Sequence, residues 1–202
     1  MSITRATLRQ ASVSIRALLV FTVVLGIGYT LLITAIGQLA LPWQANGSAV
    51  SVDGRQVGSS LIGQSWTDAS GAPLPGYFQS RPSAAGAGYD GGASSGSNLG
   101  PENPDLIAAI EERKAEIAAF EGVDAADIPA DAVTASASGL DPDISPAYAL
   151  LQVDRVAAAR GLEEAAVRNL VESRIQARDL GFLGEPRVNV LELNLALDAL
   201  QG

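Results

Sequence analysis

The feature that most constrains this 202-residue sequence is an uncharged apolar segment near its start. Residues 17–41 carry no charged side chain, and a helix of that length is about 37 Å long, whereas the hydrocarbon core of a bilayer measures about 30 Å. A cleaved signal peptide is the alternative, although its apolar region usually spans only about 7–15 residues. The sequence therefore predicts one transmembrane helix over residues 17–41, in which Gly26 and Gly28 allow a neighbouring helix to pack closely.

The charges that flank this segment predict its orientation. Arg5, Arg9 and Arg16 precede it without any acidic residue, and only two charged residues follow it before residue 60. Because positively charged flanks stay in the cytoplasm, we expect residues 1–16 to form a cytoplasmic tail. Residues 42–202 then form an extracytoplasmic domain, and the chain is predicted to cross the cell (inner or plasma) membrane once.

The composition excludes several classes of function. The chain has no histidine and no cysteine, so it cannot form a Ser-His-Asp triad, a Cys-His pair, a thiolate zinc site or a disulfide. Residues 42–202 contain ten basic and 22 acidic residues, a net charge of −12. Because such a surface repels nucleic acid, we expect no nucleic-acid partner.

The domain after the span is predicted to be α+β, a compact mixed domain with a short hairpin and an αα-hairpin. An Asp-Gly dipeptide, typical of a two-residue type I′ turn, separates strand-like residues 49–52 and 55–57. Residues 77–81 and 132–136 are predicted to form further short strands. Residues 83–100 are rich in glycine, alanine and serine, which predicts a loop.

Helix-start signals predict two helices in this domain. Asn103 and Ser145 each precede a proline, the pattern of an N-cap followed by the first helical residue. Gly122 and Gly161 are the predicted ends of these helices.

Two more elements follow toward the C terminus. A helix with two glutamates in its first turn and Arg174 and Arg178 in its last turn matches the helix dipole, and it completes the predicted αα-hairpin. Residues 190–200 fit either a helix or a strand. The capping box formed by Asn189 and Glu192 favours the helix.

Two patterns match catalytic motifs in residue type and spacing but lack the context that those motifs need. Residues 86–91 read G-x-G-x-x-G without a preceding strand, and residues 92–96 read G-x-S-x-G in a chain without histidine. Asp141 and Asp143 form a candidate carboxylate pair for cation binding or acid/base chemistry, and turn formation is the alternative. We therefore predict no catalytic residue and no metal site, and the sequence assigns no cofactor-binding residue.

Six segments carry a resemblance to a known family. They read PWQANGS, GSSLIGQ, YFQSRPSA, SSGSNLGP, VTASASGLD and GEPRVNVLELNLALD and begin at residues 42, 58, 77, 94, 133 and 184. In this order, and over nearly the whole chain, they closely resemble the KdpC family, the C subunits of Kdp potassium-transporting ATPases. Many members of that family have histidine where this chain has Asp143, which argues against an essential role for that position.

The resemblance implies a non-catalytic subunit that assists the assembly of, and K⁺ uptake by, an ATP-driven import complex. Its implied partners are a channel-like K⁺-binding subunit, a P-type ATP-hydrolysing subunit and a small single-span subunit, all within the lipid bilayer. The family's C chain is described as a catalytic chaperone that raises the ATP affinity of the hydrolysing subunit, so ATP is expected only through that partner. A membrane-anchored envelope enzyme and a scaffolding domain unrelated to transport are the alternatives.

One loop is predicted to dock a partner subunit or to lie near the partner's nucleotide. It has backbone N–H groups and hydroxyls that suit an anion or a protein partner, and it holds one large apolar side chain. Its residues are Ser94, Ser95, Gly96, Ser97, Asn98 and Leu99, with Asn103 capping the helix that follows.

Overall fold

The computed structural model describes residues 5–200, with side chains from residue 7 onward, and it divides into two units. The first unit ends at Ala49, and the second, which we call the body, begins at Val50. Residues 1–4 of the predicted cytoplasmic tail and the side chain of Arg5 lie outside the described part.

The first unit is built from helices. It contains α1 (Arg5–Phe21), a π-helical segment (Thr22–Tyr29), α2 (Thr30–Ala40) and a short α3 (Pro42–Ala45). The stretch Thr7–Ala40 is long and apolar enough to cross a membrane, and none of its side chains is buried within the chain. The predicted helix is confirmed and extends back through most of the predicted tail, because no proline or glycine interrupts residues 5–16.

The rest of the chain is α+β, as predicted. Its elements are β1 (Ala49–Val52), β2 (Arg55–Ser59), α4 (Pro104–Glu121), a 3-10 turn (Ala125–Asp127), α5 (Ala130–Val133), β3 (Asp143–Ile144), α6 (Pro146–Leu151), α7 (Val153–Arg160), α8 (Glu164–Ser173), β4 (Val188–Asn189) and α9 (Val190–Ala199). The β1–β2 hairpin is confirmed, since Asp53 (φ 50°) and Gly54 (φ 76°) both adopt the left-handed backbone that a type I′ turn requires. β3 pairs antiparallel with β4, with Asp143 opposite Asn189.

The predicted helix caps are confirmed. The Asn103 side chain accepts a hydrogen bond from the Asp105 backbone N–H (2.8 Å), and Ser145 Oγ accepts one from the Tyr148 N–H (3.0 Å) at the start of α6. Asn189 Oδ1 accepts from the Glu192 N–H (3.1 Å). The segment after Asn189 is therefore the helix α9 and not a strand.

The predicted αα-hairpin is present as α7 and α8, which pack against each other. Gly161 ends α7 in a left-handed conformation (φ 65°). The segment before Gly161 is two helices where one was predicted, because the chain turns at Gln152 and buries that side chain completely.

The prediction that Arg178 lies in the last turn of α8 is wrong. α8 ends at Ser173 with Arg174 as its C-cap, and the chain beyond Gln176 forms a hairpin-like loop. The backbone groups of Gln176 pair with those of Arg187 in that loop, so they are not available to continue the helix.

The prediction of a strand at residues 77–81 is also wrong. The buried amide of Asn194 accepts a hydrogen bond from the Phe78 N–H (2.9 Å) and donates one to the Phe78 carbonyl (3.0 Å). The amide of Gln152 accepts from the Gln79 N–H (2.6 Å) and donates to the Gln79 carbonyl (3.1 Å). Two side-chain amides therefore satisfy the backbone groups that a neighbouring strand would otherwise pair.

The prediction of a strand at residues 132–136 is wrong as well. Ala130–Val133 form the short helix α5, which starts directly after Pro129. The Thr134 hydroxyl donates to the Ala130 carbonyl (2.8 Å) and satisfies one of the carbonyls at the end of that helix. Ala132 and Val133 are both buried in this short helix.

The core of the body lies among α5 to α9 and the segment around Phe78. Residues 83–100 form no helix or strand, as predicted for a loop. The buried apolar side chains of the core include Phe78, Ile144, Tyr148, Val153, Val156, Val167, Val171, Val188, Val190, Leu193 and Leu197.

Candidate docking surface

The serine loop, which we define as residues 94–99, is held on one side by residues 137–139. The Ser95 backbone N–H donates to the Ser138 carbonyl (3.0 Å), and Ser94 Oγ donates to the same oxygen (2.9 Å). A Cβ at Gly96 would stand 2.9 Å from the Ala137 carbonyl oxygen. Glycine at position 96 therefore permits the close approach of the two segments.

The other side of the serine loop is open to solvent. Ser97, Asn98 and Leu99 are exposed, and Asn98 adopts a left-handed backbone (φ 54°). Asn103 is occupied as the cap of α4. Ser94 and Ser95 are exposed as well, but their bonds to Ser138 hold them in place. The predicted docking residues thus divide into a fixed half, Ser94 to Gly96, and a second half, Ser97 to Leu99, that is available to a partner.

The hydroxyls in the fixed half make structural contacts. Ser94 Oγ donates to a carbonyl, and Ser95 Oγ donates to the Gly96 carbonyl (3.2 Å). A nucleophilic serine needs a base within hydrogen-bond reach, and these two hydroxyls donate to backbone oxygens instead. Among the described residues, no group of three or more acidic side chains is arranged to hold a metal ion.

A network behind the serine loop joins two of the family-like segments, those that begin at residues 77 and 133. Arg81 forms an ion pair with Asp141 (2.9 Å) and donates to the Thr134 carbonyl (3.2 Å), while Ser83 Oγ donates to the Gly139 carbonyl (2.6 Å). Burial raises the pKa of Tyr89 to about 12, so its hydroxyl keeps its proton. The sequence prediction missed Arg81, because its partners lie more than 50 positions away along the chain.

The candidate carboxylate pair is used for structure. Asp141 Oδ1 accepts from the Asp143 N–H (3.1 Å), which is the predicted turn bond, and its other oxygen pairs with Arg81. Asp143 pairs with Arg187 (3.2 Å). Burial, and then the nearby Asp141 charge, raise the pKa of Asp143. Each carboxylate therefore has its own arginine, an arrangement that suits packing between segments better than cation binding.

The two predicted packing glycines lie in the π-helical part of the span. A Cβ added at Gly26 would meet no atom closer than 3.9 Å, and one at Gly28 would lie 3.6 Å from the Val23 carbonyl oxygen. Both positions can therefore accept a larger side chain within the helix itself, so any restriction on them would come from a neighbouring helix.

Comparison with known proteins identifies the family. The sequence profile of KdpC, described as "K+-transporting ATPase, c chain", matches residues 11–199. The chain is 55% identical to a Potassium-transporting ATPase KdpC subunit of Kineococcus radiotolerans over 94% of this chain and 93% of that protein. It is 54% identical to the protein of that name from Caulobacter vibrioides (95% and 92% covered) and 57% identical to the one from Gemmatimonas aurantiaca (96% and 92% covered). The chain therefore belongs to the KdpC family, the c chains of K⁺-transporting ATPases.

Proposed function

We propose that this chain is a non-catalytic subunit of an ATP-driven K⁺ import complex and assists its assembly. The observation that carries the proposal is the match to Potassium-transporting ATPase KdpC subunits over more than nine-tenths of the chain. The serine hydroxyls that donate to backbone carbonyls support a binding role over a catalytic one.

The partners in the proposed complex are a channel-like K⁺-binding subunit, a P-type ATP-hydrolysing subunit and a small single-span subunit. The helix Thr7–Ala40 anchors the chain beside them in the bilayer. Gly26 and Gly28 give a neighbouring helix room to approach, and lipid-facing helices associate through such small residues.

The orientation of the chain follows from its charges. Arg9 and Arg16 are exposed on α1, and positively charged flanks stay cytoplasmic. The N terminus is then cytoplasmic, and residues 42–202 lie outside.

The acidic domain outside the membrane is positioned to favour K⁺ at the outer mouth of the conducting subunit. Residues 42–202 have a net charge of −12. Such a charge enriches cations within about 8 Å at physiological salt. We therefore propose that this domain caps the K⁺ entrance.

An outward domain influences ATP affinity through the complex and not by touching the nucleotide. Coupling between distant sites requires only that ligands favour different states of the assembly. The serine loop supports this view, because Ser94 Oγ and the Ser95 N–H already bond to Ser138. Direct nucleotide contact is the alternative.

Two measurements on cells stripped of their outer barrier test the proposal. Protease added from outside is expected to digest residues 42–202 and spare the N terminus, and a photoreactive ATP analogue is expected to label the hydrolysing subunit alone. Protection of the domain, together with labelling of the serine loop, would contradict the outward placement and favour direct nucleotide contact.

A further inference from the structure

The body carries an exposed apolar feature that neither its core nor the serine loop explains. Leu180 is 82% exposed, Phe182 70% and Leu183 49%, all in one turn after α8. Leu180 and Phe182 are the two most exposed large apolar side chains among residues 46–200. We call residues 178–185 the apolar loop.

A short backbone ladder holds the apolar loop firmly. Gln176 and Arg187 exchange two backbone hydrogen bonds (2.8 and 3.0 Å), and Asp179 and Leu183 exchange two more (both 2.9 Å). The loop is thus supported as the tip of a narrow hairpin. A supported tip presents its side chains at a lower entropy cost than a flexible loop does.

The backbone of Leu180 is strained, although its side chain is largely exposed. It has a φ of 54°, a left-handed conformation that is unfavourable for a residue with a Cβ. Glycine or asparagine would form this turn more easily. Because the leucine side chain is exposed, its apolar surface points to a contact with another molecule.

The charges at the base of the apolar loop are paired with one another. Arg178 forms an ion pair with Glu185, and Arg187 lies 3.7 Å from Asp179 and 3.2 Å from Asp143. These are two basic and three acidic side chains, so the base offers a partner no basic excess.

These charges decide between the possible partners. An anionic lipid surface attracts loops with a basic excess, whereas this loop has none and residues 42–202 carry −12. A second copy of this chain would need a self-complementary interface of at least about 1,200 Å², far more than three side chains cover. An uncharged apolar pocket on another protein fits best, with one aromatic side chain as the anchor.

We propose that the apolar loop anchors the body to a larger subunit of the transport complex by inserting Phe182 and Leu180 into an apolar pocket of that subunit. This inference rests on the proposed function, because it takes the partner from the same complex. The paired charges at the base of the loop then form the polar rim of the contact.

Substitutions at the tip test the anchor in the complete complex. Leu180→Asn keeps a residue that tolerates the left-handed backbone, and Phe182→Ser removes the aromatic ring. We expect each to reduce recovery of the larger subunits with this chain about tenfold, as loss of a central anchor does. Leu61→Ser, at a residue 61% exposed, is the control and should leave recovery unchanged. Unchanged recovery for both tip variants would overturn the inference.

A photoreactive phenylalanine analogue at position 182 identifies what the tip touches in assembled membranes. Cross-linking to a larger subunit is the expected result. Cross-linking only to lipid or to a second copy, in a complex that is otherwise intact, would overturn the anchor and leave the proposed function standing. Failure of the unmodified chain to copurify with any larger subunit would overturn both.

Discussion

The N-terminal helix and the body use similar apolar side chains in opposite surroundings. From Thr7 to Ala40 no side chain is buried within the chain, whereas Phe78, Val153 and Leu193 in the body have no exposed surface. Lipid tails are as apolar as these side chains, so the side chains of the helix need not be buried against other parts of the chain. The body must exclude water to gain the same free energy. Equivalent substitutions should therefore act on folding in the body and on assembly in the helix.

The largest difference is expected for a pair of phenylalanines. Phe78→Ala removes a fully buried ring and should lower the free energy of unfolding of the body by about 3–5 kcal/mol. Phe21→Ala removes an exposed ring from the helix and should leave that free energy unchanged. Denaturant unfolding in detergent, followed by the fluorescence of the two tryptophans, Trp43 and Trp66, measures both. Equal losses of unfolding free energy in the two variants would contradict the proposed difference between the helix and the body.

The next difference concerns a glycine of the body. A Cβ at Gly139 would stand 2.6 Å from the Ser95 carbonyl oxygen and 2.7 Å from the Ala85 Cβ, and its φ is 67°. Gly139→Ala should therefore cost roughly 1–3 kcal/mol of stability and loosen the serine loop. Gly71→Ala, at φ 87° in open space, carries only the backbone strain and is the matched control. Similar losses for both variants would show that the close contact does not matter.

Glycines of the helix should behave differently. A Cβ at Gly26 or Gly28 makes only ordinary contacts, at 3.9 and 3.6 Å, and leucine is well tolerated by lipid, so Gly26→Leu and Gly28→Leu should leave membrane insertion unaffected. If a partner helix packs there, copurification of the larger subunits should fall about tenfold. Full recovery with both variants would show that these glycines face lipid.

The smallest effect is expected for a hydroxyl of the serine loop. Ser94→Ala removes one hydrogen bond to the Ser138 carbonyl and should cost about 1 kcal/mol of stability while K⁺ uptake is retained. Replacing Asn98 with glycine, which keeps the left-handed backbone, together with Leu99→Ala removes exposed groups and should loosen assembly with little change in stability. Loss of uptake in an assembled Ser94→Ala complex would instead favour an enzymatic role.

Local signals predicted much of the fold, and distant contacts account for the errors. The turn at Asp53 and the caps at Asn103 and Ser145 depend on neighbours within a few residues, so the sequence pattern was sufficient. The strand expected at residues 77–81 failed because its backbone bonds go to Asn194, 116 positions away from Phe78. A sequence pattern carries no signal for such a partner.

For the candidate docking surface, too, local composition was predictive and distant contacts were not. The serine loop was expected at the surface because its composition cannot form a core, and five of its six residues are exposed. The Arg81–Asp141 pair spans 60 positions, and the apolar loop was missed because Arg178 was assigned to a helix. The sequence signals that point to that loop are Gly181 and Gly184, both left-handed in the structure.

The orientation of the chain is the central claim, because the proposed cap over the K⁺ entrance requires residues 42–202 to lie outside. Two reporters fused in turn after residue 202 test it most directly, one active only outside the cytoplasm and the other only inside. We predict activity from the outside reporter and none from the cytoplasmic reporter, because arginine-rich flanks such as the one before the span favour the cytoplasmic side. Activity from the cytoplasmic reporter alone would contradict the outward domain and the proposed cap over the K⁺ entrance.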